Sequence, residues 1–294
     1  MMAFPNASRW TVVAALAGLA WFTPVFAQAQ APGSRGITID FKSVKCGDED
    51  DPLSHDEPYL IVTKFRFKME LAGTSPRMVP GTLRVENVMT GHGSLGNKRD
   101  SFTRERRTWN IPRTMPHLAQ EVVPPNEKGW VVGAAVTYME KDGFSAANAR
   151  FLSSKVRDLV QGSITTMSFT EADTRRLTDQ MMKKVTSDLS RSFKKLHIGG
   201  MIRGIASAVN PDDYGGTALI VTVTGDSGKV FYSVGMPSDN VASVLAGVRE
   251  ISGPTAFSLR FPMGDLSKVP SNARFQGRST VNGEIRIWRL EAPF

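Results

Sequence analysis

A strictly alternating segment, residues 59–71, constrains the fold of this chain more than any other feature of the sequence. Apolar side chains recur at alternate positions of this segment, and from Lys64 onward charged side chains occupy the positions between them. The apolar set is Tyr59, Ile61, Phe65, Phe67, Met69 and Leu71, and the charged set is Lys64, Arg66, Lys68 and Glu70. A period of two over this length predicts a long β-strand with one face in a core.

Strand patterns lie on both sides of a helical middle. Residues 37–41 alternate, residues 130–139 are a nearly continuous apolar run, and residues 217–235 have the two apolar halves and the glycine turn of a β-hairpin. In residues 146–198 the apolar side chains recur every three or four positions, which predicts two helices. Because strands and helices do not alternate regularly and no long period repeats, the pattern argues against a doubly wound parallel sheet, a solenoid and a propeller.

The predicted fold class is therefore mainly β: an antiparallel β-sandwich, or a barrel, with an inserted or docked pair of α-helices. Within this fold we expect the second helix to have Thr170 as its N-cap, because Asp173 follows three positions later as in a capping box. We also expect a short helix at residues 239–249.

The N-terminal residues have the pattern of a secretory signal peptide. Arg9 precedes an apolar run at 11–22, which is followed by Pro24 and by small residues that end in Ala27 and Ala29. A basic start, a short apolar core and an Ala-x-Ala end are typical of a cleaved signal, and a membrane span needs about 20 apolar residues. We therefore expect an exported protein, periplasmic or extracellular, with no transmembrane segment after cleavage. The predicted organisation is a signal peptide at 1–29, a flexible leader at 30–36, and a single β-rich domain at 37–294 with its helical insert at 146–198.

Composition and motifs exclude several functional classes. Cys46 is the single cysteine of the 294 residues, so an intrachain disulfide scaffold, a four-cysteine zinc site and a CxxC redox centre are excluded. The sequence has no G-x-S-x-G, no H-E-x-x-H and no phosphate-binding glycine motif, and its GDSG at 225–228 lies where a hairpin turn is needed. The formal net charge of +8 is compatible with an anionic surface or envelope component as partner, and no specific nucleic-acid motif is present.

Acidic residues concentrate in three loops that adjoin predicted strands. The first precedes the strand at 59–71, the second follows the run at 130–139, and the third precedes the hairpin at 217–235. Ca²⁺ binds about six to eight oxygens, mostly carboxylates and carbonyls on loops, so loops that converge at one end of a sandwich would form a site for it. The predicted calcium ligands are Asp56, Glu57, Glu140, Asp142, Asp212 and Asp213. Aspartate also favours turns for its local hydrogen bonds, which is the alternative explanation of these clusters.

Three short segments resemble elements of a known group of proteins. SHDEPYLIV at 54–62, TYMEKDG at 137–143 and PDDYGG at 211–216 are similar to the SDEPY, E-x-D and DD-x-x-G elements of poorly characterised exported bacterial proteins. Their order also resembles that of calcium-binding C2-type sandwiches, whose acidic loops gather at one end. The resemblance covers about residues 44–235, although the helical segment at 146–198 departs from a plain C2 domain. It implies a secreted, non-enzymatic β-sandwich that acts as a calcium-supported accessory or binding module.

Two other functions remain open from the sequence. An exported hydrolase would use His92 or His117 as general base, because an imidazole transfers protons near neutral pH. An envelope-associated binder would use the basic amphipathic helix at 170–198, whose apolar stripe is equally suited to packing on a sheet. The residues alone do not identify the natural ligand or substrate.

Overall fold

The structure is a computed structural model. It describes residues 34–45, 58–72, 75–90, 108–110, 119–123, 127–140, 146–170, 173–197, 213–236, 244–262 and 278–289. By its internal contacts the chain divides into two units, Met1–Gln30 and Ala31–Phe294, and all the described residues belong to the second.

The described strands and helices are numbered here in chain order. The strands are β1 (Arg35–Lys45), β2 (Pro58–Ala72), β3 (Ser75–Met78), β4 (Arg84–Thr90), β5 (Thr108–Asn110), β6 (Ala119–Val123), β7 (Trp130–Glu140), β8 (Asp213–Thr224), β9 (Val230–Met236), β10 (Val244–Glu250), β11 (Thr255–Pro262) and β12 (Arg278–Arg289). The helices are α1 (Ala146–Thr165) and α2 (Thr174–His197), and both lie in the chain between β7 and β8.

The described strands form two antiparallel sheets. In the five-stranded sheet the order is β11-β12-β1-β5, and β6 also pairs with β1. In the seven-stranded sheet the order is β10-β9-β8-β7-β2-β3, and β4 also pairs with β2. The sheets do not close into a barrel, so the sandwich is the correct one of the two predicted alternatives. The predicted mainly β fold with a pair of helices is confirmed.

The strand β2 contributes to two cores. Tyr59 and Ile61 lie in the core between the seven-stranded sheet and the helices, whereas Leu60 and Val62 lie in the core between the two sheets. The neighbouring strand β7 is buried at every position from 131 to 139, which explains why its sequence is apolar without alternation. The second unit therefore has three layers, with the seven-stranded sheet between the five-stranded sheet and the helical pair.

The two helices cover the outer face of the seven-stranded sheet. The apolar stripe of α2 that is buried against this sheet includes Leu177, Met181, Val185, Leu189 and Phe193. The helix begins after Asp173, whose Oδ1 accepts hydrogen bonds from the backbone N–H groups of Arg175 at 3.0 Å and Arg176 at 3.1 Å. The prediction that Thr170 is the N-cap was wrong, because the Asp173 carboxylate satisfies these N–H groups and also lies at the positive end of the helix dipole. No helix among the described residues is both long enough and apolar enough to cross a membrane.

Candidate functional site

The candidate site lies at the end of the seven-stranded sheet where β2 begins, β7 ends and β8 begins. The register pairs Glu140, the last residue of β7, with Pro58 of β2 on one side and with Asp213 of β8 on the other. Adjacent strands are about 4.8 Å apart, so the backbones of Pro58 and Asp213 are separated by roughly 10 Å across β7. The strand termini that carry the three predicted acidic clusters are therefore neighbours in one sheet.

A β-bulge in β8 sets this register. Tyr138 is paired with Gly216, but the next residue of β7, Met139, is paired with Tyr214, so Gly215 is the additional residue. Regular pairing from Gly216 onward would bring Tyr214 opposite Glu140, whereas the bulge brings Asp213 there. The two glycines in PDDYGG thus form the bulge that brings Asp213 opposite Glu140.

Both bulge glycines meet a structural requirement. Gly216 has φ = +113°, a backbone conformation that L-residues with a side chain rarely adopt. A Cβ on Gly215 would lie 2.6 Å from Cδ1 of Tyr138. The Tyr138 ring cannot move aside easily, because it is buried, stacks on Phe261 and is hydrogen-bonded through its hydroxyl to Ser279 at 3.1 Å.

The predicted ligands divide into two sets in the structure. Glu140 and Asp213 occupy directly paired backbone positions. The other four predicted ligands, Asp56, Glu57, Asp142 and Asp212, lie outside the described residues. Within the described ranges, no group of three or more His, Cys, Asp or Glu side chains could hold a metal ion. The register therefore brings two of the six predicted positions, Glu140 and Asp213, together.

A buried hydroxyl network adjoins the acidic end on the helical side of the sheet. Thr217 Oγ1 is hydrogen-bonded to the Tyr214 hydroxyl at 3.0 Å and to Thr137 Oγ1 at 3.0 Å. The Tyr214 ring stacks on Phe193 of α2, with the ring centroids 4.2 Å apart and the planes 9° apart. This network anchors the first residues of β8 to β7 and to α2, so that the residue after Asp213 is fixed.

Burial determines the protonation of Tyr214. Desolvation raises the pKa of its hydroxyl to about 12, and the hydrogen bonds with Thr217 and Ser190 oppose this rise without cancelling it. Tyr214 is therefore neutral at physiological pH and acts as a structural hydrogen-bonding group. The hydroxyl network was not predicted from the sequence. Its sequence signal is the occurrence of Thr137 and Thr217 in strands where buried positions are usually apolar.

Of the residues predicted for the other two functions, the structure describes the basic helix but not the two histidines. His92 and His117 lie outside the described residues. For the basic helix, the buried part of the α2 stripe is already covered by the sheet. On its exposed side, Lys183 is paired with Asp179 at 2.6 Å and Lys184 with Asp188 at 2.9 Å, which neutralises part of the positive charge.

Comparisons of this chain with protein-family models, with curated proteins and with solved structures found no match.

Proposed function

We propose that this protein is an exported, non-enzymatic binding or accessory module whose acidic sheet end binds Ca²⁺. The observation that carries the proposal is the register that pairs Glu140 with both Pro58 and Asp213. The six proposed ligands are Asp56, Glu57, Glu140, Asp142, Asp212 and Asp213, each on one of these strand ends or within two residues of it.

Electrostatics gives a reason for a cation at this end. Carboxylates on three neighbouring strand ends repel one another, and a divalent cation converts that repulsion into attraction. Ca²⁺ suits the site better than Mg²⁺, because it accepts about six to eight oxygens in flexible geometry, whereas Mg²⁺ demands near-ideal octahedral geometry. The bulge and the hydroxyl network favour binding by fixing the start of β8 before the ion arrives.

Two sequence features support export and a binding role. The residues before the first strand have the composition of a cleaved secretory signal. The three acidic segments resemble those of exported bacterial proteins and of C2-type sandwiches, whose acidic loops gather at one end. Calcium concentrations outside the cell suit sites that bind the ion with only moderate affinity.

Isothermal titration calorimetry of the purified protein with CaCl₂ tests the proposal, together with thermal melts in CaCl₂ and in EDTA. Ca²⁺ is expected to bind with measurable heat and to raise the melting temperature, while Asp213→Asn and Glu140→Gln weaken binding. The matched control is Asp226→Asn, because Asp226 is an exposed carboxylate beside the opposite end of β8 and is paired with Lys128. No heat of binding and equal melting temperatures in CaCl₂ and EDTA would reject the proposed function.

A further inference from the structure

A small pocket lies at the opposite end of β8 from the acidic strand ends. It has a volume of about 280 Å³ and lies between the first residue of β1, the turn from β8 to β9, and the link from β10 to β11. Its lining combines the charged residues Arg35, Lys229 and Glu250 with the apolar residues Val230, Ile251 and Ile287. At about 30 Å³ for each water molecule, this volume corresponds to roughly nine waters, which suits a small organic molecule.

The charges around this pocket leave one cation in excess. Lys229 Nζ is 3.2 Å from Glu250 Oε2, so these two side chains neutralise each other. The nearby Asp226 carboxylate is paired with Lys128 at 3.1 Å. Arg35 forms no ion pair within the described part of the chain, and its guanidinium is therefore the group available to an anion.

The Arg35 guanidinium lies against the β8–β9 turn. The guanidinium lies against Gly228, so closely that a Cβ on this glycine would overlap it. Gly228 has φ = +68°, and the preceding Ser227 has φ = +55°, the only non-glycine residue with positive φ among the described residues. Backbone in this conformation costs about 1–3 kcal/mol for a residue with a side chain and is often retained at binding sites.

The inner surface of the pocket is apolar. Val230 and Ile251 are buried in the core between the two sheets, and Ile287 packs against that core. A cationic fork beside an apolar surface is complementary to a molecule with a carboxylate at one end and a short hydrocarbon part at the other.

We propose that this pocket binds a small organic carboxylate, with the Arg35 guanidinium donating two parallel hydrogen bonds to the carboxylate oxygens. The hydrocarbon part of the ligand packs on Val230, Ile251 and Ile287. Arginine suits this role better than lysine, because its planar fork matches the two oxygens of a carboxylate. The pocket uses no residue of the calcium site and therefore stands independently of the proposed function.

The test follows backbone amide resonances of the purified protein by two-dimensional NMR, with sodium butyrate as the probe at constant ionic strength. Butyrate is expected to shift the amides of Ser227, Gly228 and Lys229 in a saturable way. 1-Butanol, which has the same chain without the charge, is expected to leave them unchanged. Inorganic phosphate distinguishes a general anion site from a site for an organic carboxylate, because it lacks a hydrocarbon part.

Substitutions of Arg35 and of Glu250 have opposite expected effects. Arg35→Gln removes the cation and is expected to weaken butyrate binding about tenfold or more, and Arg35→Lys is expected to restore only part of it. Glu250→Gln frees Lys229 and is expected to strengthen binding roughly three- to fivefold, the effect of one added charge a few ångströms away in water. Thermal melts of each variant show whether it is folded.

Three results would overturn the proposal. The first is the absence of saturable shifts at the β8–β9 turn with butyrate. The second is equal butyrate affinity in the wild type and in a folded Arg35→Gln or Arg35→Lys variant. The third is tighter binding of phosphate than of butyrate, which would identify a general anion site in place of a site for an organic carboxylate.

Discussion

The bulge in β8 allows the loss of stability caused by Gly216→Ala to be predicted quantitatively. After replacement by alanine, either a residue with a Cβ adopts φ = +113° or the bulge is lost. Either response is expected to cost about 1–3 kcal/mol of unfolding free energy. For a domain of this size class, 1 kcal/mol lowers the melting temperature by roughly 2–4 °C, so the expected decrease is about 2–12 °C.

The assay for Gly216→Ala is urea unfolding and thermal melting in EDTA, so that bound calcium does not contribute. The control is Gly253→Ala, because a Cβ there has no heavy atom within 4 Å and φ is not in the positive range. We expect the control to remain within about 0.5 kcal/mol of the wild type. Equal stability of Gly216→Ala and Gly253→Ala would refute the reasoning that Gly216 maintains the bulge.

Three further predictions concern other parts of the structure. Gly36→Ala places a Cβ against the Trp288 ring, which lies over Gly36; we expect a loss of about 1–3 kcal/mol in urea unfolding, and unchanged stability would contradict this packing. Gly162→Ala lies within α1 with nothing near its Cβ; a gain of about 0.5–1 kcal/mol is expected in the same assay, and a loss would show that the site is less open than described. Because burial raises the pKa of Tyr214 to about 12, the folded state favours the neutral phenol, so its contribution to stability is complete below pH 10 and is lost as pH rises toward 12. Urea midpoints between pH 9 and pH 12 should therefore fall more steeply for the wild type than for Tyr214→Phe, and parallel curves would contradict this.

Periodicity predicted the long strands well and the short elements poorly. The strand predicted at 59–71 is Pro58–Ala72 in the structure, because an alternating pattern of that length has no competing conformation. The strands Ser75–Met78 and Ala119–Val123 were not predicted, since they are short and are defined by pairing with β2 and β1. Strand β1 begins at Arg35, within the segment predicted to be a flexible leader.

The helix predicted at 239–249 was wrong at its C-terminal half. Residues Val244–Glu250 form the edge strand β10, which pairs with β9 and has an irregular register between Ala246 and Arg249. Small and apolar residues in this segment suit a helix as well as an edge strand. Pairing with β9 makes this segment a strand, and the local sequence pattern contains no information about that pairing.

The candidate sites show the same division between local and long-range information. Acidic residues next to strand ends are visible in the sequence, so the clusters were predictable. The pairing of Glu140 with Asp213 depends on the extra residue Gly215. In the sequence, the two glycines of PDDYGG are typical of an ordinary turn, and only the pairing with β7 shows that they form a bulge. The pocket was not predictable, because Arg35 reaches Gly228 only when the two sheets are stacked.

The most direct test of the calcium proposal is a double-mutant cycle for calcium affinity at the paired positions, measured by calorimetry. Wild type, Glu140→Gln, Asp213→Asn and the double variant are titrated with CaCl₂ at the same pH and ionic strength. If both carboxylates ligate one ion, the two losses in binding free energy are non-additive by about 0.5 kcal/mol or more. Losses that add, or affinities unchanged by either substitution, would contradict a shared calcium site at this end of the sheet.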